Sequence, residues 1–305
     1  FVERAAAIAY LKSGDKSVLY KCRVVGRQDS FYGTEGARIV AYKGSLMGGT
    51  DYIFGGMTLV AYKSDLAMNT SETSTDVAYI TAAQQATARG YLMYACNVTS
   101  AIPGTETASA YTSKPGEFGR PWAAATSEVV FYNTTVEASN NPSYTGKSLI
   151  APDAWLNTLS GTSAKMYEYG STEKSRENNR SSRASWATLL STPTLTDGTA
   201  ITTFNFTKGT DNWDPISSLI ALENTGVATK LTNNGITNLT IASATNHILV
   251  SGISDKATIS IYSMEGALVK SVTVSTNATI SASKGLWLVK VQSAQGQTVA
   301  KVIVR

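Results

Sequence analysis

The 305-residue sequence holds one histidine, His247, in its C-terminal portion. A Ser-His-Asp triad or a histidine-based zinc site therefore has no place in the body of the chain. Cysteine is almost as scarce, with only Cys22 and Cys96. No histidine lies near either, so neither a catalytic thiol nor a metal site is supported. Charge is sparse at 16% of residues, with a net value of +4 and a pI near 8.9. Such a mild, diffuse excess suits an acidic polymer as partner and excludes a nucleic-acid reading. No apolar run reaches the length of a transmembrane helix. Clustered Asp/Glu sets are also lacking, which argues against a calcium-dependent lyase. No metal and no cofactor is expected. No signal peptide is present, and Phe1-Val2-Glu3-Arg4 reads as mid-chain, so further chain is expected upstream.

What the sequence does have is a repeat. Apolar residues make up 43% of the chain, as in a secreted globular β-protein. Five segments share one pattern of tyrosine, a polar or small residue, a small residue, a variable position and an aliphatic. Their tyrosines are Tyr20, Tyr42, Tyr62, Tyr94 and Tyr132, in steps of 22, 20, 32 and 38 residues. A period near twenty, β-rich segments and insertions of variable length predict a parallel β-solenoid. Cys22 and Cys96 fall in one column of this repeat, where other coils carry Gly44, Ser64 and Thr134. The column reads as a ladder of small inward residues. Three rungs separate the two cysteines, about 14 Å. A disulfide needs Cα atoms within about 7 Å, so two free thiols are expected.

The repeat gives meaning to two acids. Asp29 and Asp51 are 22 residues apart, one turn of the coil. Stacked turns place them about 5 Å from each other on one face. Carboxylates that close cannot ionise independently, which yields a nucleophile or base beside an acid. Each acid precedes an aromatic-rich tail, Ser30-Phe31-Tyr32-Gly33 and Tyr52-Ile53-Phe54-Gly55. After a loop at residues 99 to 119 come Arg120 and Trp122. Loops grafted on one edge of a solenoid usually carry binding. An exposed Trp offers a face to a sugar ring, and an Arg can fix a carboxylate bidentately.

Three blocks carry a resemblance. Gln28-Asp29-Ser30-Phe31-Tyr32, Gly49-Thr50-Asp51-Tyr52-Ile53-Phe54-Gly55 and Gly119-Arg120-Pro121-Trp122 resemble the signature blocks of pectin methylesterases, in the family's order. Tyr79-Ile80-Thr81-Ala82 and Leu149 to Leu156 resemble further segments, so the likeness covers about residues 5 to 216. The resemblance implies an all-β chain built on a right-handed parallel β-helix. It implies hydrolysis of galacturonate methyl esters in pectin, with release of methanol. Asp51 is then the nucleophile, Asp29 the general acid/base and Gln28 the oxyanion donor. Arg120 orients Asp51, while Trp122, Tyr52 and Phe31 meet the substrate. The implied partner is methylesterified homogalacturonan, and a monomer is expected. One departure stands out. The family carries another glutamine upstream of Gln28, where this chain reads Arg4-Ala5-Ala6-Ala7-Ile8-Ala9. A slow enzyme is the expectation, since an oxyanion donor is worth on the order of 10²–10³ in rate. A weakly active or inactive pectin-binding β-helix, and a β-helix glycosidase with carboxylates about 5 Å apart, stay open beside it.

The remaining chain divides by composition. Residues 157 to 185 are polar and read as a solvated loop that helps attract a polyanion. Phe204 to Pro215 resembles the family's closing stretch and is expected to cap the end of the solenoid at residues 1–216. Residues 217–234 read as a linker. Residues 235–305 read as a small C-terminal β-sandwich, with strands at His247–Val250, Ala257–Tyr262, Leu268–Val274, Ala278–Ser281, Leu286–Val291 and Thr298–Val304. Met264-Glu265-Gly266 and Ala294-Gln295-Gly296 read as turns between them. Ile259 to Gly266, Lys284 to Val291 and the ending Val302-Ile303-Val304-Arg305 resemble the sorting domain of type IX secretion. That resemblance implies contact with the secretion machinery, and a protein secreted from, or held on the surface of, a Gram-negative bacterium.

Overall fold

The computed structural model describes residues 14–69, 77–102, 110–224, 236, 238–263 and 266–304. The chain divides into two compact units after Ile220. The first is a parallel β-helix built from three sheets. Seven strands form the longest sheet: Ser17–Tyr20, Arg38–Tyr42, Thr58–Tyr62, Tyr91–Tyr94, Val129–Tyr132, Met166–Tyr169 and Thr188–Leu189. Six strands form the second, from Arg23–Val25 to Thr172–Glu173. The third, here termed the site sheet, has four: Phe31–Gly33, Ile53–Gly55, Tyr79–Ala83 and Glu117–Gly119. The strand pairs in these sheets are parallel.

The repeated tyrosines mark the corner between the first two sheets. Tyr20, Tyr42, Tyr62, Tyr94 and Tyr132 stack in register, and Tyr169 extends the ladder. Ring centroids lie 4.5 to 5.6 Å apart. The residue after each tyrosine is left-handed: Lys21, Lys43, Lys63, Ala95, Asn133 and Gly170 have φ of 53°, 53°, 49°, 50°, 49° and 65°. This bend sends the chain into the second sheet. The small column residue follows, and the structure gives it a second duty as a donor. Ser64 Oγ donates to Ala41 O at 3.1 Å, Cys96 Sγ to Ala61 O at 3.2 Å and Thr134 Oγ1 to Met93 O at 3.3 Å. Each bond reaches the same position of the preceding coil. Both cysteines are free, Cys96 buried and Cys22 exposed.

The seven-stranded sheet is buried on both faces, which is why RIVAY, TLVAY and VVFY read as unbroken apolar runs. Ile39, Leu59, Tyr91 and Val129 fill the coil interior, while Val40, Val60, Leu92 and Val130 face outward. The closing stretch covers that outer face. It therefore does not cap the solenoid's end, as the sequence suggested. Helix α1 (Thr203–Thr207) lies against the central strands Thr58–Tyr62 and Tyr91–Tyr94. Phe206 and Ile216 supply the apolar cover. Two arginines tie it down. Arg38 binds Asp211 at 2.6 Å and Thr207 O at 2.9 Å, and Arg89 reaches Asp197 with Phe206 beneath it. Helix α2 (Pro215–Asn224) occupies the start of the expected linker, and Leu219 and Ile220 continue the cover. Residues 225 to 235 lie outside the described residues.

Residues 157 to 185 are not a solvated loop either. Met166–Tyr169 and Thr172–Glu173 build a further coil. Glu168 sits on the inward column of that coil, in register with Phe131, and is fully buried. Arg183, 8% exposed, meets it with Nε 2.7 Å from Oε2. The guanidinium also lies 5.4 Å from the Phe118 ring. A buried ion pair thus fills an apolar position, and composition alone disguises it as surface.

The second unit is a β-sandwich of antiparallel sheets. Thr240–Ala244, His247–Ser251 and Ala278–Ser281 form one, and Leu268–Val274, Ala257–Tyr262, Gly285–Ser293 and Gly296–Val304 form the other. Ile248, Val250, Ile259, Ile280, Val289 and Val302 make its core. The strand Thr240–Ala244 (TIASA) carries almost no apolar signal, being nearly all exposed. His247 starts a strand, and its Nδ1 lies 2.9 Å from Thr245 O. Of the expected turns, residues 264 and 265 lie outside the described residues.

Candidate active site

The site lies on the outward face of the site sheet. Its strands are preceded by two turns of one shape, with Asp29 and Asp51 both left-handed at φ 52°. Asp tolerates this region better than most residues. The turns are bonded to each other: Asp29 N donates to Thr50 O at 3.0 Å, and Gly49 N to Arg27 O at 2.6 Å. Gly48 is glycine because a Cβ there would strike the Tyr52 side chain. Phe31 pairs with Ile53, so two positions earlier Asp29 stands over Asp51. Adjacent rungs separate their backbones by about 4.8 Å.

Asp51 is 7% exposed and held by Arg120. Arg120 Nε lies 2.9 Å from Oδ1 and Nη2 2.7 Å from Oδ2, a bidentate pair. The arginine starts two strands away and crosses the Tyr79 ring at 4.1 Å, with Nη1 3.0 Å from Thr158 Oγ1. Burial by itself would lower its pKa. The hydrogen bonds and charge of Asp51 outweigh that, with help from Tyr79 and Asp29, and the net direction is upward. Gln28 is half-buried in the first turn, next to Asp29.

The aromatic assignments need correction, by one position for Phe31 and by two for Tyr52. Phe31 and Tyr52, expected to meet the substrate, are enclosed in the coil. Tyr52 follows the left-handed Asp51, and that bend turns it inward. Burial, with Cys96 as a neighbour, pushes its phenol well above the usual value. Tyr32 and Phe54 face outward instead. Their centroids lie 4.7 Å apart, and Phe54 stacks on Trp122 at 5.7 Å. Trp122 is 39% exposed. Sequence reading missed Tyr32, Phe54, Tyr79 and Thr158. The aromatic-glycine pairs Tyr32-Gly33 and Phe54-Gly55 were the available signal. A Cβ at Gly55 would collide with Gly33 O and crowd the Tyr32 ring.

Residues 103 to 109 of the expected binding loop lie outside the described residues, as do residues 4 to 9. The loop's described end is pinned: Tyr111 Oη accepts from Ala78 N at 3.0 Å and donates to Lys114 O at 2.8 Å.

Fold and site define a parallel β-helix that presents two stacked aspartates, an arginine clamp and an aromatic ladder on one face. The chain belongs to the pectinesterase family, whose sequence profile matches residues 2–210. The profile of a secretion system C-terminal sorting domain matches residues 236–305, as in secreted or cell-surface proteins. The chain is 29% identical over 167 residues to "Probable pectinesterase A" of Neosartorya fischeri, covering 53% of this chain and 44% of that protein. It is 27% identical over 218 residues to "Probable pectinesterase/pectinesterase inhibitor 35" of Arabidopsis thaliana, covering 70% and 36%. It thus spans less than half the length of these curated relatives. The pectin methylesterase PemA from Erwinia chrysanthemi shares the fold, with a TM-score of 0.50, 20% identity and coverage of 69% and 61%.

Proposed function

We propose that the chain hydrolyses methyl esters of galacturonate units in pectin, releasing methanol. The observation that carries this reading is the bidentate Arg120–Asp51 pair with Asp29 on the adjoining rung. Asp51 attacks the ester carbonyl carbon, using a lone pair that the guanidinium leaves free. The oxyanion of the tetrahedral intermediate accepts a hydrogen bond from the Gln28 amide. Asp29 gives its proton to the departing methoxide, and methanol leaves. Asp29 then takes a proton from water, whose oxygen attacks the acyl-enzyme and frees the Asp51 carboxylate. Tyr32, Phe54 and Trp122 form a platform on which sugar rings lie flat.

The substrate is methylesterified homogalacturonan, a polyanion wherever its esters are missing. The C-terminal sandwich engages the secretion machinery of a Gram-negative bacterium and takes no part in the chemistry. A glycosidase with closely spaced carboxylates would share part of this geometry. Product analysis on methylesterified pectin separates the two. The esterase reading predicts methanol with no new reducing ends, and chain shortening without methanol would overturn it. Binding with neither product would leave a carbohydrate-binding module.

A further inference from the structure

The corner between the first two sheets carries a charge pattern that its bend does not require. In the first three coils the left-handed residue is Lys21, Lys43 and Lys63, with φ of 53°, 53° and 49°. Left-handed backbone favours glycine and asparagine. Later coils have them there, as Asn133 and Gly170. Lysine is thus a local cost, taken three times in succession. All three side chains are exposed. Their coils are neighbours, since Tyr20 pairs with Tyr42 and Tyr42 with Tyr62. The lysines therefore form a row with one charge per rung of about 4.8 Å. Each ammonium sits over the tyrosine before it, with Nζ 4.9, 5.2 and 5.2 Å from the ring centroid. Cation–π attraction of this kind holds a lysine against its ring. Like charges one rung apart repel, so the row is unfavourable by itself and favourable against a linear anion. Arg23, also exposed, adds a cation two residues beyond Lys21. The acid two residues beyond Lys63 is Asp65, whose Oδ1 accepts from Asn97 Nδ2 at 3.0 Å.

We propose that this row is a second, non-catalytic binding surface for a linear polyuronate, on the corner of the coil remote from the reacting acids. The inference rests on the esterase reading for the identity of the polymer. The corner joins the first and second sheets, so it lies across the coil from the site sheet. None of its residues takes part in the chemistry above. An extended chain of linked uronate rings bears one carboxylate per ring. Its repeat is close to the rung spacing of about 4.8 Å, so successive carboxylates meet successive lysines. The tyrosines offer the sugars no ring faces, because Tyr20, Tyr42 and Tyr62 stack on one another with centroids 5.6 and 5.2 Å apart. Recognition therefore rests on charge, and a fully esterified chain, being neutral, is passed over. Each turnover at Asp51 leaves one more carboxylate on the polymer, so the reaction itself makes the ligand. Binding at the corner then holds the enzyme on its product polymer while the site sheet stays open to another chain.

The test is calorimetric binding of polygalacturonate to the full chain at low and high salt. Methanol release from methylesterified trigalacturonate is measured alongside. The variant is the triple substitution Lys21→Gln, Lys43→Gln and Lys63→Gln, on exposed side chains outside the reacting site. At low salt it should bind polygalacturonate about tenfold more weakly than wild type, the worth of three exposed ion pairs. At high salt the two should converge, because screening removes what the lysines contribute. The matching triple substitution to arginine keeps the charges and should bind like wild type. The trimer is too short to reach the corner from the site sheet. All three proteins should therefore release its methanol at one rate and share one melting curve. Equal affinity of wild type and the glutamine variant at low salt, with methanol release intact, overturns the surface alone. So does a difference between them that high salt leaves unchanged. Weakened binding by the glutamine variant, with no methanol released by wild type, overturns the esterase reading and leaves the surface standing. Equal affinity with no methanol release overturns both.

Discussion

Arg120 reaches Asp51 across a neighbouring strand and meets it with both ends of its guanidinium fork. A lysine keeps the charge and loses the fork. Arg120→Lys should therefore keep the fold and lower kcat on the order of 10²-fold, the usual result of misplacing a reacting group by about 1 Å. Steady-state methanol release checks this, and an unchanged kcat would deny the clamp its role. Tyr52 makes the opposite case. Its hydroxyl is buried, with no hydrogen-bond partner among the described residues. Tyr52→Phe should raise Tm, by an amount on the order of 1 kcal/mol in stability, and leave KM for pectin unchanged. Phe54→Ala should raise KM, because it removes the middle of the aromatic ladder. Glu117 adds a pH signature. Its folded pKa, about 8, lies above the ordinary 4.5, so the folded state holds an extra proton between those values. Stability then falls as pH rises through that window. Glu117→Gln should melt above wild type near pH 8.5 and converge with it near about pH 4. At this scale the sequence was enough to expect Asp29, Asp51, Arg120 and Trp122 near one another, because charge and motif spacing survive without coordinates. It misassigned Phe31 and Tyr52, because a left-handed aspartate resets the inward-outward alternation and nothing in the composition marks it.

Each coil is set by its corner: a tyrosine, a left-handed residue, then a small donor bonded to the coil before. The corner explains why Ser, Cys and Thr share a column, and a Cys96→Val substitution should destabilise more than Cys96→Ser. The thiols should also differ in access. Cys22 is exposed, while burial pushes Cys96 up to about 12. A thiol reagent should titrate one group in the native protein and two after unfolding, and a native count of zero would mean a bridge. The coil at Met166–Tyr169 depends on a different element, the buried Glu168–Arg183 pair. Arg183→Met alone should cost about 3–5 kcal/mol by stranding a buried carboxylate, and Glu168→Leu in the same chain should recover much of it. Chemical denaturation of the two variants checks this. The sequence hid that coil because an ion pair inside a solenoid has the composition of a loop. It hid the strand Thr240–Ala244 for the reverse reason, since an exposed strand of small and polar residues has no apolar face to show.

The whole chain is a β-helix and a β-sandwich, and both architectures were legible from repeats and strand alternation. The path of the closing stretch was not. Periodicity says how coils stack, not which outer face is left uncovered. That path matters for trimming the protein. Ile216, Leu219 and Ile220 of α2 belong to the cover of the seven-stranded sheet. A chain cut at Ser218 should lose stability, whereas a chain ending at Asn224 should release methanol as fast as the full chain. The most direct test of the central claim is methanol release by Asp51→Asn in the full chain, read together with its melting curve. The substitution keeps shape and removes the carboxylate proposed to attack the ester. Asp51→Asn should show an intact cooperative melt and methanol release reduced to background. A folded Asp51→Asn protein that still releases methanol near the wild-type rate would contradict that claim.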